Sequence, residues 1–324
     1  PQGAGCRDVL WQCGKNTGNL RCALECAGME KNMKFSNYED IVQLTGMWTG
    51  ERMADGRPYV PDEYLERLKE LTLEEVWKPI SVKGYDNQFE GRLKLLHQDG
   101  RKMVGRAVTA SFCPTRPDLD TVTKEEGRQE GRTGTYNQWV IDSLTERDVI
   151  VIDMYDKIYK GTFLGGNLTT AVKTRTKNGG AVIWGGVRDM EQMEKIGEVQ
   201  VYYRGVDPTP IREFVMTGFN GVTRIGKAVC LPGDIVFGTS SGVLFIPSHL
   251  VKEVVDGARK TKIKDVFGFE MISQNRFTTA QIDMDVWTEE MMNLLCDFIQ
   301  KDERGSQYRD IDWTEEYNMA RAEK

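Results

Sequence analysis

Arg188 and Asp189 stand directly after Gly185-Gly186-Val187, and earlier in the chain Gly165-Gly166-Asn167 opens a helix-forming segment. A guanidinium is a planar fork suited to bidentate carboxylate binding, and a neighbouring carboxylate offers a hard oxygen to a divalent cation. Free N–H groups at a helix start attract anions. Together these groups are equipped to hold a small keto acid beside a metal ion. In that reading the backbone of Gly166, Asn167, Leu168 and Thr169 receives a carboxylate or keto oxygen, Arg188 grips the acid and Asp189 ligates the metal. A surface Arg-Asp pair after a strand would have the same spacing, so the pattern leaves both readings open.

The elements that must position these residues are legible around them. Asp148-Val149-Ile150-Val151-Ile152-Asp153 is a short β-branched run, as expected of a strand buried on both faces. A loop, Lys160 to Gly166, follows, and Asn167 is expected to cap a helix over Leu168 to Lys177, with its basic residues toward the end that the macrodipole favours. Asn178-Gly179-Gly180 is expected to supply a left-handed C-cap, and Ala181-Val182-Ile183-Trp184 a second buried strand. The sum is a βαβ unit, whose ligands bind outside the carboxyl ends of the strands.

Leu164-Gly165-Gly166-Asn167-Leu168 followed by Gly179-Gly180-Ala181-Val182-Ile183-Trp184-Gly185-Gly186-Val187-Arg188-Asp189 resembles the core of a known family. It contains 4-hydroxy-4-methyl-2-oxoglutarate aldolase and the regulator of ribonuclease E activity A. Val229-Cys230-Leu231-Pro232-Gly233-Asp234-Ile235-Val236-Phe237-Gly238, closing with Gly242-Val243-Leu244-Phe245-Ile246-Pro247, is similar to its C-terminal signature. Val104-Gly105-Arg106-Ala107-Val108-Thr109 resembles its first core strand, and the likeness runs from about Leu73 to Val255.

The resemblance implies a swivelling β/β/α layered α/β domain and, in the aldolase branch, a divalent-metal-dependent carbon–carbon lyase. The loop matching Gly166 to Thr169 then receives the keto acid, Arg188 binds it, and Asp189 helps hold Mg²⁺ or Mn²⁺. Retro-aldol cleavage leaves a pyruvate enolate, whose charge a Lewis acid at the keto oxygen stabilises without a Schiff-base lysine. The sequence departs from this pattern where the aldolases carry a proton-transferring aspartate: Asn167 stands there, and an amide takes no proton at neutral pH. Gln192 replaces an acid, with Glu191 beside it, and Thr239-Ser240-Ser241 replaces a usually acidic stretch. Decarboxylation of a β-keto acid such as oxaloacetate reaches the same enolate with less demand on a base. The competing expectation is a non-catalytic ring that binds a partner, like the ribonuclease regulator. The family also implies a homotrimer or homohexamer with sites at subunit interfaces.

Composition narrows the rest. With two histidines, His97 and His249, a three-histidine zinc site within one chain is excluded, which favours oxygen ligands and Mg²⁺ or Mn²⁺. Both histidines read as structural or surface residues. Net charge of -6 over 324 residues argues against a nucleic-acid surface, and the basic run Lys252 to Lys264 reads as a solvated helix end. No apolar run approaches the roughly 20 residues of a membrane span. Cys113, Cys230 and Cys296 are isolated and expected to be reduced, which suits the cytoplasm. Asp153 and Asp156, at a strand end, are alternative bases, with exposed strand-end residues as the plainer reading.

The remaining chain reads as additions around a core at 86–255. Residues 1–35, with Cys6, Cys13, Cys22 and Cys26, are expected to form a leader of little order, and 36–85 an N-terminal helical cap. In that cap Pro61 to Leu71 forms one helix and the capping box of Thr72 and Glu75 opens another. Cys113 to Gly134 is expected to be a mobile loop near the active face, with Arg116 as a further candidate anion contact. Residues 256–324 are expected to be a helical extension in which Trp287 to Ile299 and Trp313 to Ala322 present apolar faces that pack on this chain or a neighbour.

Overall fold

A computed structural model describes residues 37–177 and 179–322 of the chain. Its strands are β1 (Phe89–Glu90), β2 (Lys94–Leu95), β3 (Met103–Pro114), β4 (Asp148–Asp153), β5 (Thr162–Leu164), β6 (Gly180–Val187), β7 (Gln200–Val206), β8 (Phe214–Phe219), β9 (Thr223–Ile225), β10 (Ala228–Cys230), β11 (Ile235–Thr239) and β12 (Gly242–Ile246). The main sheet runs β1-β12-β11-β3-β4-β6-β7-β2, with β5 paired to β6 and β8 to β3, while β9 and β10 form a separate ribbon. The centre is parallel, with Ala107 opposite Val149, Val151 opposite Val182 and Ile183 opposite Tyr203. The flanks, β11 on β3 and β2 on β7, are antiparallel.

The sheet curls. Tyr202 on β7 donates its hydroxyl to the Thr239 carbonyl on β11 at 2.9 Å, although three strands lie between them in the sheet order. The concave side is filled by Val149, Val151, Val182, Trp184, Val236 and Phe245, with Ile225, Ala228 and Cys230 of the β9–β10 ribbon packed among them. Such continuous β-branched burial is what a sheet covered on both faces demands.

Helices cover the convex side. The N-terminal ones are α1 (Tyr38–Leu44), α2 (Asp62–Lys69) and α3 (Leu73–Ser81), and α3 opens with the expected Thr72–Glu75 capping box. Leu65, Leu68, Val76 and Ile80 pack against Val104, Ile235 and Leu244. The segment read as a mobile loop instead contains α4 (Pro117–Gln129), which starts on Pro117, a residue preorganised for a helix's first position. Then come α5 (Tyr136–Asp142), α6 (Gly166–Thr176) and α7 (Met190–Ile196). Helix α6 joins β5 to β6, so the βαβ unit is present. Its left-handed end residue is Lys177, at φ 57°, rather than the glycines that follow.

Beyond the core, α8 (Val251–Ser273) spans two environments. Its first half packs with α2 and α3, and its second half joins α9 (Thr279–Ile282), α10 (Glu289–Lys301) and α11 (Thr314–Ala322) in a cluster of their own around Phe267, Trp287, Leu295 and Trp313. The apolar faces at Trp287 to Ile299 and Trp313 to Ala322 thus find cover within the chain. The basic run on α8 is not a solvated end: Arg259 pairs with Asp310 at 2.8 Å and Lys260 with Glu316 at 2.8 Å, while Lys264 lies 4.2 Å from the Trp287 ring centre. Those cations fasten the extension. The expectation for residues 1–35 lies outside the described residues.

Candidate active site

Strand β6 delivers the two charged residues. After Val187, the Arg188 amide donates to the Leu164 carbonyl at 3.0 Å, and Asp189 turns the chain with left-handed backbone angles, φ 58° and ψ 39°. Aspartate is among the few residues that adopt this conformation readily. The Asp189 carbonyl accepts from the Gln192 and Met193 amides at 2.9 and 3.0 Å and so starts α7, while its side chain swings back to the mouth of α6. There Oδ2 accepts from the Gly166 amide at 3.3 Å, and Arg188 Nε lies 3.7 Å from the same oxygen. Both side chains reach solvent, at 41% exposure for Arg188 and 33% for Asp189. The guanidinium, the carboxylate and the helix mouth are together and open.

The glycines at the helix start make room for this approach. A Cβ on Gly165 would lie 2.5 Å from Asp189 Oδ2 and 3.1 Å from Arg188 Nε, and one on Gly166 would lie 2.5 Å from Gln192 Oε1. A side chain at Gly165 would displace the Asp189 carboxylate and the Arg188 side chain from the helix mouth.

Two details differ from expectation. Gly165, not Asn167, is the N-cap, and the helix begins at Gly166, because the bare, extended Gly165 backbone is what fits under Asp189. Asn167 therefore sits inside the first turn, exposed to solvent, and makes no side-chain cap. Of the four amides expected to face an anion, Gly166 is used by Asp189, and Thr169 donates to the Gly165 carbonyl at 3.0 Å. The amides of Asn167 and Leu168 have no acceptor among the described residues, so they are the donors left open. Thr169 is fully buried, with Oγ1 unpaired.

Other candidates fall elsewhere. Asp153 shares a sheet face with Val151 and Trp184, the concave side, so it stands across the sheet from α6; burial raises its pKa, and Arg224 lies 3.9 Å away. Asp156 is held by Arg204 at 2.9 Å. Arg116 bonds Asp118 at 2.8 Å in solvent. His97 packs at the start of β7, its amide on Gln200, and His249 meets the Tyr85 hydroxyl at 3.3 Å; burial lowers the pKa of both rings. Gln192, which the sequence marks only as a missing acid, contributes a side-chain oxygen across the helix mouth.

A divalent cation is compatible with this donor set. Among the described residues there is no group of three or more His, Cys, Asp or Glu placed to surround a metal. Asp189 spends one oxygen on the Gly166 amide and has the other unbonded among the described residues. Mg²⁺ characteristically takes one or two protein carboxylates and fills its shell with water and substrate oxygens, which suits a single exposed aspartate.

Comparison with known proteins agrees with this architecture. The family model described as RraA-like, Aldolase/RraA, matches residues 76–245, and the chain belongs to that family. A curated relative, Protein DlpA of Legionella pneumophila subsp. pneumophila (strain Philadelphia 1), is 28% identical over 165 residues, which are 48% of this chain and 23% of the relative. The matched part is thus about a quarter of that relative's length. Among solved structures, Streptomyces coelicolor RraAS2, described as an unusual member of the RNase ES inhibitor RraA protein family, superposes with a TM-score of 0.54 at 23% identity, covering 67% of this chain and 98% of that one. A structure described as one of novel cellulases from microbes associated with the gut ecosystem gives 0.56 at 23% identity, covering 75% and 98%. An uncharacterized protein from Pseudomonas syringae pv. tomato str. DC3000 gives 0.55 at 18%, covering 72% and 98%. At these identities the likeness is one of fold, a mixed α/β architecture built on a central sheet, to which this chain adds helical parts at both ends.

Proposed function

We propose that this protein is a divalent-metal-dependent carbon–carbon lyase that releases pyruvate from a small oxo-acid, by decarboxylation of a β-keto acid such as oxaloacetate or by retro-aldol cleavage of a 4-hydroxy-2-oxo acid. The observation that carries the reading is the convergence of Arg188 and Asp189 on the open mouth of α6. Arg188 would bind the substrate carboxylate as a charge-assisted fork, and the unused Asn167 and Leu168 amides would receive a second oxygen of the same acid. Asp189 would hold Mg²⁺ or Mn²⁺, and that ion supplies Lewis acidity to the reacting keto group.

Asn167 favours decarboxylation over aldol cleavage. An exposed amide at this position binds and orients a water but removes no proton. Retro-aldol cleavage needs a base to take the hydroxyl proton, whereas loss of CO₂ from an ionised carboxylate needs none. The same residue supports a second reading, a non-catalytic ring that binds a protein partner. In either case the expected assembly is a homotrimer or homohexamer, and no helix among the described residues is long and apolar enough to cross a membrane.

The test is pyruvate release from oxaloacetate and from 4-hydroxy-4-methyl-2-oxoglutarate, with Mg²⁺ or Mn²⁺ and with EDTA. Metal-dependent release that disappears in Arg188→Ala and Asp189→Ala is the expected result. Absence of release from both substrates, together with tight binding of a protein partner, would move the assignment to the second reading.

A further inference from the structure

We propose that the cleft between α4, α5 and the start of β8 is a binding site for an aromatic carboxylate. The cleft has a volume of about 360 Å³, within the range of small-molecule sites. Its apolar wall is built from three aromatic rings. Tyr136 meets Trp139 with ring centres 4.9 Å apart at 82°, and meets Phe214 at 5.8 Å and 80°. All three are largely buried, yet all three line the opening. An edge-to-face set of this kind offers ring faces and edges to a further flat ring, which is the geometry aromatic groups prefer.

Charge at the mouth selects an anion. Four charged side chains line it: Asp120, Lys124, Arg212 and Glu213. Three are already engaged. Asp120 accepts from the Tyr136 hydroxyl at 2.8 Å and pairs with Lys124 at 2.7 Å, and Glu213 is bonded by Lys160. The Arg212 guanidinium has no hydrogen-bond or ion-pair partner among the described residues, and the residue is exposed. Among the described residues that line the cleft it is the cation without a bonded partner, although its charge acts on the neighbouring Glu213 carboxylate. A ligand whose ring enters against Trp139 and Phe214 and whose carboxylate remains at the rim would satisfy both, the ring by burial and the acid by a forked contact to Arg212.

The Tyr136 hydroxyl strengthens this division. Burial, together with its bond to Asp120, raises its pKa, so the ring stays a neutral phenol whose hydroxyl is spent on Asp120. This site does not depend on the lyase reading, since none of its residues belongs to the Arg188–Asp189 cluster.

The experiment is calorimetric titration of the full chain with indole-3-acetate, indole-3-acetamide and acetate. The expected result is saturable binding of indole-3-acetate, with the amide and acetate each weaker by at least about tenfold, the scale of one lost charge-assisted contact or one unburied ring. Arg212→Ala should weaken indole-3-acetate by a similar factor, Arg212→Lys should weaken it less, and Arg188→Ala should leave it unchanged. Arg212 is exposed, so its variants should fold normally. The proposal is overturned by no binding, by equal binding of the acid and the amide, or by binding that Arg188→Ala abolishes and Arg212→Ala leaves intact, which would place the anion on α6 instead.

Discussion

The Gly166 amide donates to Asp189 Oδ2 across 3.3 Å, tying the first turn of α6 to the end of β6. Through this bond a charged strand end and a helix mouth become one site, and the first prediction concerns its acidic partner. Asn tolerates the left-handed backbone of position 189 as well as Asp does, so Asp189→Asn should change folding stability by less than about 1 kcal/mol. Loss of the carboxylate should nonetheless lower kcat/KM for pyruvate release by at least about 100-fold. Denaturant melts and kinetics run on the same preparation would check both halves. An active Asn variant would remove Asp189 from the site.

Gly165→Ala tests the close approach. Its new methyl would stand 2.5 Å from Asp189 Oδ2, so the carboxylate must swing out of the helix mouth. Both displaced side chains are flexible and partly exposed, so a stability cost of about 1 kcal/mol or less is expected. Activity should fall with it even at temperatures where the variant is folded. Circular dichroism melts read beside pyruvate release separate the two effects.

Asn167→Asp restores a proton acceptor in the first turn of α6. Aldol cleavage should rise by at least about tenfold, part of the ~100-fold or more that a well-placed general base contributes, and decarboxylation should rise less. An equal change in both rates, or none, would mean that position 167 is not where the proton goes.

A buried ion pair sets the N-terminal segment. Arg57 and Asp148 are almost fully buried, bonded at 2.8 Å, and Arg57 also donates to the Ala107 carbonyl at 3.2 Å. Arg57→Met leaves the Asp148 carboxylate without its counter-ion and should cost about 3–5 kcal/mol. The pair replaced together by apolar residues should cost less than that single change, which urea denaturation of both variants would show.

Asp234 gives stability a pH dependence. Its carboxyl is fully buried, accepts from the Leu231 and Ser248 amides, and is pushed up to about 7 by burial. Because the folded value is raised, its contribution is complete below the unfolded value of about 4 and is lost as pH rises through about 7. Unfolding free energy should therefore fall between about pH 4 and 7, by a few kcal/mol at most. Asp234→Asn should flatten this slope at the expense of one backbone hydrogen bond. Parallel slopes for wild type and variant in urea titrations at several pH values would sink the assignment.

Much of the scaffold is legible in local patterns. The runs at Asp148–Asp153 and Ala181–Trp184 read as buried strands because hydrophobic periodicity is set by the faces a segment must cover. The capping box at Thr72 and the apolar stripes at Trp287–Ile299 are local signals of the same sort. By residue type Asn167 is a better cap than Gly165, and only the distance from Gly165 to Asp189 shows why the helix starts on a bare backbone instead. The prolines and charges of Cys113–Gly134 suggest a loop, yet Pro117 opens a helix once that segment has β8 to pack on.

The chain by itself determined which chemistry was available: one guanidinium, one carboxylate and a glycine-led helix start, all within a single βαβ unit. That much follows from covalent order, because residues at a strand end and at the next helix mouth are brought close by the connection itself. Which amides stay open, which acids stand on the far side of the sheet, and which rings meet around Arg212 depend on contacts between residues distant in sequence. Those are settled by packing, since sheet curvature and helix placement minimise exposed apolar area over the whole chain rather than over any one segment.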